Sequence, residues 1–306
     1  MNKLRVGVVG VGHIGTNHAR IYSEIAPVAD FTAIYDVDPG RANSIARKYG
    51  GTAAKSLDEF AEMVDAASIA TPTNSHHEIA LPLLQRGKHL LVEKPIAENP
   101  QHATELAELA AKNQLILQVG HVERFNPVLS ALESRLTHPR FIEAHRLSPY
   151  PNRSTDIGVV LDLMIHDLEI ILHLVSSSVQ SIDAVGIPVL SKSEDIANAR
   201  IRFENGCVAN VTSSRISPER MRKIRVFQED AYLSLDYEKQ SGEIYRREGG
   251  KITRDKVPIE RDEPLKQQLV SFIECASTGR QPKVSGFQAT AALELAVQIT
   301  KKIQNP

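Results

Sequence analysis

The sequence predicts an α/β protein of two domains. A doubly wound parallel sheet comes first, and an α+β domain on an open, mostly antiparallel sheet follows. Three observations predict this. Apolar runs of strand length alternate with helical patterns through the first 120 residues, as in strands joined by crossover helices. Past residue 140, strand-like runs succeed one another through short turns, which favours antiparallel pairing. The 306 residues also exceed one comfortable core. The expected division is 1–120 and 121–306, with a terminal helix near Gln288 to Ile303 packing back on either part.

The elements follow in order. Leu4 to Val9 is an apolar run that feeds into Gly10-Val11-Gly12-His13-Ile14-Gly15, a GxGxxG spacing. A helical stretch follows, with Ala19, Ile21 and Tyr22 among its apolar positions. Phe31 to Tyr35 is the second strand, and Asp36 ends it twenty-one residues after Gly15. A dinucleotide pocket needs this order of strand, glycine turn, helix, strand and acid. The first glycine makes the tight turn, the second lets backbone approach a pyrophosphate, and the third lets helix and strand pack closely. The helix N-terminus then offers unpaired N–H groups and a favourable dipole. Gly10, Gly12, His13, Ile14 and Gly15 are therefore the expected cofactor turn of a Rossmann domain. Asp36 would bond the ribose hydroxyls and repel a 2′-phosphate, which favours NAD over NADP. Arg41 is able to soften that preference by reaching a phosphate.

Arg41 to Tyr49 reads as a helix closed by Gly50-Gly51, and Ala66 to Ala70 as a strand stopping at Thr71-Pro72-Thr73-Asn74. Ser75 is the expected cap of a helix from His76 to Arg86, ended by Gly87. Leu90 to Val92 is a strand followed at once by Glu93-Lys94-Pro95. Asn99-Pro100 opens another helix, and Leu115 to Val119 is a strand closed by Gly120. Ligands of such sheets sit beyond the carboxyl ends of the strands. Thr71, Pro72, Asn74, His76, Glu93 and Lys94 thus join the expected cofactor contacts. Lys94 lies in a turn before proline, where its ammonium would stabilise a developing alkoxide or polarise a carbonyl, although lysine is also a common surface residue. His121, Arg124 and Asn126 are placed for cofactor or substrate contacts, or for a plain solvated loop.

In the second half, Phe141 to Arg146 reads as a strand and Thr155 to Val175 as one long helix. Strands are expected at Ser181–Val185, Ala197–Phe203, Cys207–Ser213, Lys223–Gln228 and Ala231–Asp236. Asn205-Gly206 signals a hairpin. The long helix is apolar on nearly every side, so it is expected to be buried. Yet Asp162, His166, Glu169 and His173 recur at i, i+4, i+7 and i+11, on one stripe. Buried charge without a partner is very unfavourable, so the stripe is paired internally, faces water, or lines a pocket. Arg215, Arg220, Arg222, Lys223 and Arg225 form the dense basic segment, read as a solvated strand face or a site for a substrate diphosphate.

Composition narrows the partners. The net charge of −1 supplies no global field for nucleic acid or a membrane. Two cysteines, Cys207 and Cys275, make no disulfide framework and fit a reducing cytoplasm. No signal peptide is visible, and the apolar stretch Ile157 to Val175 carries too many ionisable groups for a membrane span. No CxxC or HExxH spacing supports a metal site at Asp162, His166, His173 and His121. An open antiparallel sheet exposes a face that favours a homodimer or homotetramer.

Together, Gly10–Gly15, Ala70-Thr71-Pro72-Thr73-Asn74-Ser75-His76, Glu93-Lys94-Pro95 and Leu161-Asp162-Leu163-Met164-Ile165-His166-Asp167 resemble the Gfo/Idh/MocA family of sugar and polyol oxidoreductases. The resemblance spans nearly the whole chain. It implies that lysine and histidine flank the substrate carbon beside the nicotinamide, with His166 as general base, Lys94 as its electrostatic partner and Asp162 orienting the substrate. Met164 and Glu169 depart from residues frequent in the family and bear on pocket shape. Gln118–Pro127, Asp156–Asp162 and Met221–Phe227 are similar to the branch that oxidises the 3-hydroxyl of UDP-N-acetylglucosamine to a ketone, later transaminated on the way to lipid A. Inositol or free-monosaccharide oxidation remains an alternative, as does a non-catalytic regulator that binds NAD or a sugar.

Overall fold

The computed structural model describes residues 3–150 and 157–305. The chain divides into two compact units. One runs to Val122 and takes in Glu263–Thr290; the other comprises Glu123–Asp262 and continues from Ala291.

The first unit alternates strand and helix: β1 (Leu4–Val9), α1 (His13–Glu24), β2 (Ala29–Tyr35), α2 (Pro39–Tyr49), β3 (Thr52–Ala53), α3 (Leu57–Met63), β4 (Ala66–Ile69), α4 (His76–Gln85), β5 (His89–Glu93), α5 (Pro100–Lys112) and β6 (Leu117–Gly120). Every pairing in its six-stranded sheet is parallel, in the order β3-β2-β1-β4-β5-β6. The order reverses between β1 and β4, the switch point where open α/β sheets bind ligands. Strands covered on both faces read as continuous apolar runs: Val6, Val8 and Val9 of β1 and Leu90, Leu91 and Val92 of β5 are fully buried. Several helices start where the residue types dictate. Asp38 accepts from the amides of Gly40 and Arg41 ahead of α2, and Asn99 accepts from the amide of His102 ahead of α5. Ser75 does not cap α4. It sits in a 3₁₀ turn, Thr73–Ser75, and its hydroxyl donates back to Thr71 Oγ1 at 2.9 Å and the Pro72 carbonyl at 2.8 Å.

The second unit adds α6 (Pro127–Glu133), β7 (Phe141–Leu147), α7 (Ile165–Val175), β8 (Val179–Ile187), β9 (Ile196–Phe203), β10 (Val208–Ser214), β11 (Met221–Phe227), β12 (Ala231–Asp236), β13 (Ser241–Glu248) and β14 (Lys251–Val257). Then α8 (Pro264–Thr278) returns to the first unit, where Leu269, Phe272 and Ile273 share a core with Ile21 and Tyr22 of α1. The last helix, α9 (Gly286–Gln304), follows. The sheet of the second unit has eight strands in the order β14-β13-β12-β11-β7-β10-β9-β8. All its pairs are antiparallel except β7 with β10. Asn205-Gly206 makes the expected hairpin between β9 and β10: Gly206 adopts φ +84°, and the Cys207 amide donates to Asn205 Oδ1 at 3.1 Å.

One face of this sheet is buried through Ile142, Ala144, Ala199, Ile201, Val211, Ile224 and Leu233. The other carries half-buried aromatic rings in a row. Phe227 stacks on Tyr232 at 4.5 Å and Tyr232 on Tyr245 at 5.0 Å, with Phe141 tilted against Phe227 at 5.6 Å.

The long helix expected from Thr155 to Val175 is shorter and changes type. Thr155 and Asp156 lie outside the described residues. Val160–Met164 forms a π-helical turn before α7 begins at Ile165. The cause is local. Glu194 fills the space beside Gly158, its backbone carbonyl accepts from Val159 N at 3.0 Å, and its carboxylate lies 3.3 Å from Val160 N. π turns recur at functional positions, and this one holds Asp162.

Candidate active site

The glycine turn has the geometry its spacing predicts. Gly10 adopts φ +81°, and a Cβ there would lie 2.5 Å from Thr71 Cγ2. A Cβ on Gly15 would lie 1.8 Å from the Gly10 carbonyl oxygen, so only glycine lets α1 approach β1. Gly12 faces open space, with nothing within 4 Å of its would-be Cβ. It is also the N-cap of α1 and supplies no side chain to its first amides. An uncapped N-terminus behind an open glycine is a cradle for a pyrophosphate, so these residues fit a dinucleotide. His13 and Ile14 are exposed on the same turn. Asp36, at the end of β2, accepts from Val11 N at 2.8 Å and Asp38 N at 2.9 Å, and Arg41 Nη1 lies 3.6 Å away. The amides fix the carboxylate, and each of its oxygens keeps a further lone pair for a ribose hydroxyl.

The two turns at the carboxyl edge are tied together. His76 is buried, with Nδ1 2.8 Å from the Pro95 carbonyl and Nε2 2.9 Å from the Thr71 carbonyl. Burial pushes this ring below the ordinary imidazole range, against the pull of both carbonyls and of the Glu93 carboxylate. The structure thus uses His76 internally instead of exposing it to a ligand. Glu93 also turns inward. Its Oε1 lies 3.3 Å from Nε2 of the fully buried His18 on α1 and 3.4 Å from Gln268 Nε2 on α8. A Cβ at Gly120 would stand 2.5 Å from that oxygen, so a larger residue there would displace the Glu93 carboxylate. His76 is 1% exposed with both ring nitrogens on backbone carbonyls, which sets it apart from the other expected cofactor contacts; Glu93, whose side chain is 16% exposed, stays at the edge with Thr71, Pro72, Asn74 and Lys94. His121, just past β6, is also buried.

In the second unit, Asp162 on the π turn and His166 on the first turn of α7 are both part-exposed. The wider π turn rotates less per residue, which brings positions i and i+4 closer to one azimuth. The rest of the expected stripe does not join them. Glu169 is buried and paired with Arg124 at 2.6 Å, and His173 pairs with Glu133 at 2.6 Å. Burial raises the Glu169 carboxyl, opposed by Arg124. Arg124 and Asn126, expected at the substrate, are buried. Asn126 accepts from the amide of Val128 at 3.1 Å to start α6 and donates to the Tyr237 carbonyl at 3.1 Å. A 3₁₀ turn, Val122–Phe125, folds this segment inward, which sequence spacing does not reveal.

Reasoning from sequence missed a buried ionic cluster behind His166. Arg146 forks onto Asp167 at 2.8 and 3.0 Å and reaches Glu123 at 3.0 Å. Burial works against the Arg146 charge, but Asp167 and Glu123 hold its pKa far above the ordinary value. One signal was present: Arg146 follows Ile142 and Ala144 on the inward face of β7, where a charge demands a partner. The basic segment is dispersed. Arg215 is buried on Asp195 at 2.7 Å and donates to the Ile157 carbonyl at 2.6 Å, whereas Arg225 pairs with Glu143 at 3.0 Å. Burial would raise the Asp195 carboxyl, yet Ser191, the Leu190 amide and Arg215 hold it well below the carboxylate range. Arg222 stays half exposed, 3.7 Å from Glu123.

A parallel sheet with this glycine cradle and strand-end acid defines an NAD-binding oxidoreductase fold, and sequence comparison agrees. Residues 4–121 match the model of the oxidoreductase family with the NAD-binding Rossmann fold, and residues 129–234 match the GFO/IDH/MocA C-terminal domain. The chain is 33% identical to UDP-N-acetylglucosamine 3-dehydrogenase of Acidithiobacillus ferrooxidans, over 99% of this chain and 98% of that one. A solved structure of that enzyme superposes with a TM-score of 0.95, covering 99% of both chains. The scyllo-inositol 2-dehydrogenase (NAD(+)) of Bacillus subtilis is 25% identical over 99% of this chain and 95% of its own. The chain belongs to the Gfo/Idh/MocA family of oxidoreductases, and its cofactor is NAD.

Proposed function

We propose that this enzyme oxidises the 3-hydroxyl of UDP-N-acetylglucosamine to a ketone, the substrate of a later transamination in lipid A assembly. The full-length similarity to a UDP-N-acetylglucosamine 3-dehydrogenase carries this reading. NAD, when bound, supplies the hydride acceptor; Gly10, Gly12, Gly15 and Asp36 would hold it. The residues of the chain handle the proton and the charge. A neutral alcohol releases hydride poorly, so its proton must be drawn off as the carbon is oxidised. His166 takes that proton as general base, a role for which imidazole is suited near neutral pH. The Lys94 ammonium stabilises the growing alkoxide charge, and Asp162 orients the hydroxyl.

In this reading the first unit serves the cofactor, and the second serves substrate and assembly. A second copy of the chain covers the aromatic row Phe141, Phe227, Tyr232 and Tyr245, in a dimer or tetramer. No helix among the described residues is long and apolar enough to cross a membrane, which suits a cytoplasmic enzyme acting on a soluble nucleotide sugar.

The test is a substrate panel followed by NADH absorbance. UDP-N-acetylglucosamine should outperform myo-inositol, scyllo-inositol and free monosaccharides by at least ~10²-fold in kcat/KM, as expected where a buried site pairs the polar groups of its own substrate. A preference for an inositol would replace this reading with the activity named for the Bacillus relative, and no turnover on any of them would favour a regulator.

A further inference from the structure

His76 has no place in the chemistry proposed above, yet it is one of the most constrained side chains of the first unit. Its ring is 1% exposed and spans two turns at the carboxyl edge of the sheet. Both of its polar contacts are backbone carbonyls, Pro95 O at 2.8 Å and Thr71 O at 2.9 Å. Carbonyls only accept, so each contact calls for a ring N–H: the imidazolium supplies both at once, the neutral ring one at a time. Thr71 is itself pressed against the glycine turn, since a Cβ on Gly10 would meet its side chain at 2.5 Å and its backbone nitrogen at 3.0 Å. A continuous path of contacts therefore runs from the pyrophosphate cradle through Gly10, Thr71 and His76 to Pro95, the residue next to Lys94. On the other side of Lys94, Glu93 lies 3.3 Å from His18 of α1. The residues flanking Lys94 are thus both referred to elements that hold the cofactor.

We propose that His76 is a positioning residue for Lys94: its ring fastens the Lys94-Pro95 turn to the Thr71 turn, so that the ammonium is held in register with the cofactor cradle. The proposal rests on the reading of Lys94 as the electrostatic partner in catalysis. It assigns His76 no contact with substrate or cofactor, and His76 acts through the Pro95 carbonyl. A side chain in this role changes kcat more than binding, because the ammonium matters most when the alkoxide charge develops.

The test is a double-mutant cycle on the full chain with UDP-N-acetylglucosamine and NAD. His76→Ala and His76→Gln are each made alone and with Lys94→Met. Glutamine keeps an amide N–H donor for the single donated tie that alanine lacks, in a less favourable geometry, and serves if the alanine variant is poorly folded. Melting temperature and NAD affinity, read by protein fluorescence without substrate, identify the folded variants. His76→Ala should lower kcat about tenfold, the worth of one lost tie of ~1.4 kcal/mol, with KM and NAD affinity changed less than about threefold. His76→Gln should recover part of that loss. With Lys94→Met already in place, the substitution at His76 should cost almost nothing more in kcat. Wild-type kcat in His76→Ala, or an equal loss with and without Lys94, overturns the positioning role while leaving the role of Lys94 intact. Wild-type turnover in Lys94→Met removes the role of Lys94 and the proposal with it.

Discussion

Lys94 and His166 are held in place by different kinds of force. On the lysine side, neighbouring residues are tied by two contacts each: His76 to two carbonyls, and Glu93 to His18 and Gln268 at the long distances of 3.3 and 3.4 Å. On the histidine side, the residue after His166 is Asp167, clamped by the buried fork of Arg146, and three residues on Glu169 is locked to Arg124. The turn is fastened by contacts of modest net worth, whereas the helix is fastened by charges that cannot be left unpaired. Damage to the helix side should therefore appear as lost stability. Damage to the turn side should appear as altered function in a folded protein.

The largest expected effect tests the helix side. Arg146→Met leaves Asp167 buried without its cation, and Glu123 with only the half-exposed Arg222 at 3.7 Å, and should cost about 3–5 kcal/mol in urea unfolding. A loss under ~1 kcal/mol would erase the contrast. Next comes His166→Ala, which should lower turnover by at least ~10²-fold with near-normal NAD binding, and with little change in stability because His166 stands outside the ionic cluster; unchanged turnover would remove it from the base role. On the nucleotide side, Asp36→Ala should shift the ratio of kcat/KM for NAD over NADP toward NADP in a folded enzyme, and an unaltered ratio would refute its part in the choice of cofactor.

The smallest effect is a pH slope. Burial lowers the pKa of His76 and of His89 in the folded chain. Below about pH 6.5 the unfolded chain takes up protons that the folded chain resists. Stability should fall as the pH drops through that value and level off below the folded pKa. Urea unfolding of His76→Gln between about pH 5 and 8 should show a shallower slope than the parent, and an identical slope would mean that His76 is not among the groups responsible.

What was legible in the sequence follows the same division. The glycine turn, Asp36 and the Glu93–Pro95 turn are local: residue type and spacing alone bring them to the carboxyl edge of a parallel sheet, and the structure has them there. The Asn205-Gly206 hairpin is local too. The ionic cluster was not legible, because its members come from the Val122–Phe125 turn, from β7 and from α7, and meet only in the folded unit. The inward position of Arg146 hinted at a missing partner without naming it. The parallel pairing of β7 with β10 was hidden for the same reason, since sequence order favours neighbours joined by short turns. The π turn at Asp162 depends on Glu194, more than thirty residues away, filling the space at Gly158. The stripe of Asp162, His166, Glu169 and His173 starts on a π turn and continues on α7, and ion pairing divides it: Glu169 is taken by Arg124 and His173 by Glu133, while Asp162 and His166 stay with the candidate site.

Isotope transfer addresses the central claim most directly. UDP-N-acetylglucosamine carrying deuterium at C3 is incubated with the enzyme and NAD, and the reduced cofactor is analysed by mass spectrometry. Hydride transfer from C3 yields NADH one mass unit heavier, together with a 3-keto sugar that has lost its deuterium. Unlabelled NADH, or recovery of the sugar with its deuterium intact and no NADH formed, would contradict it.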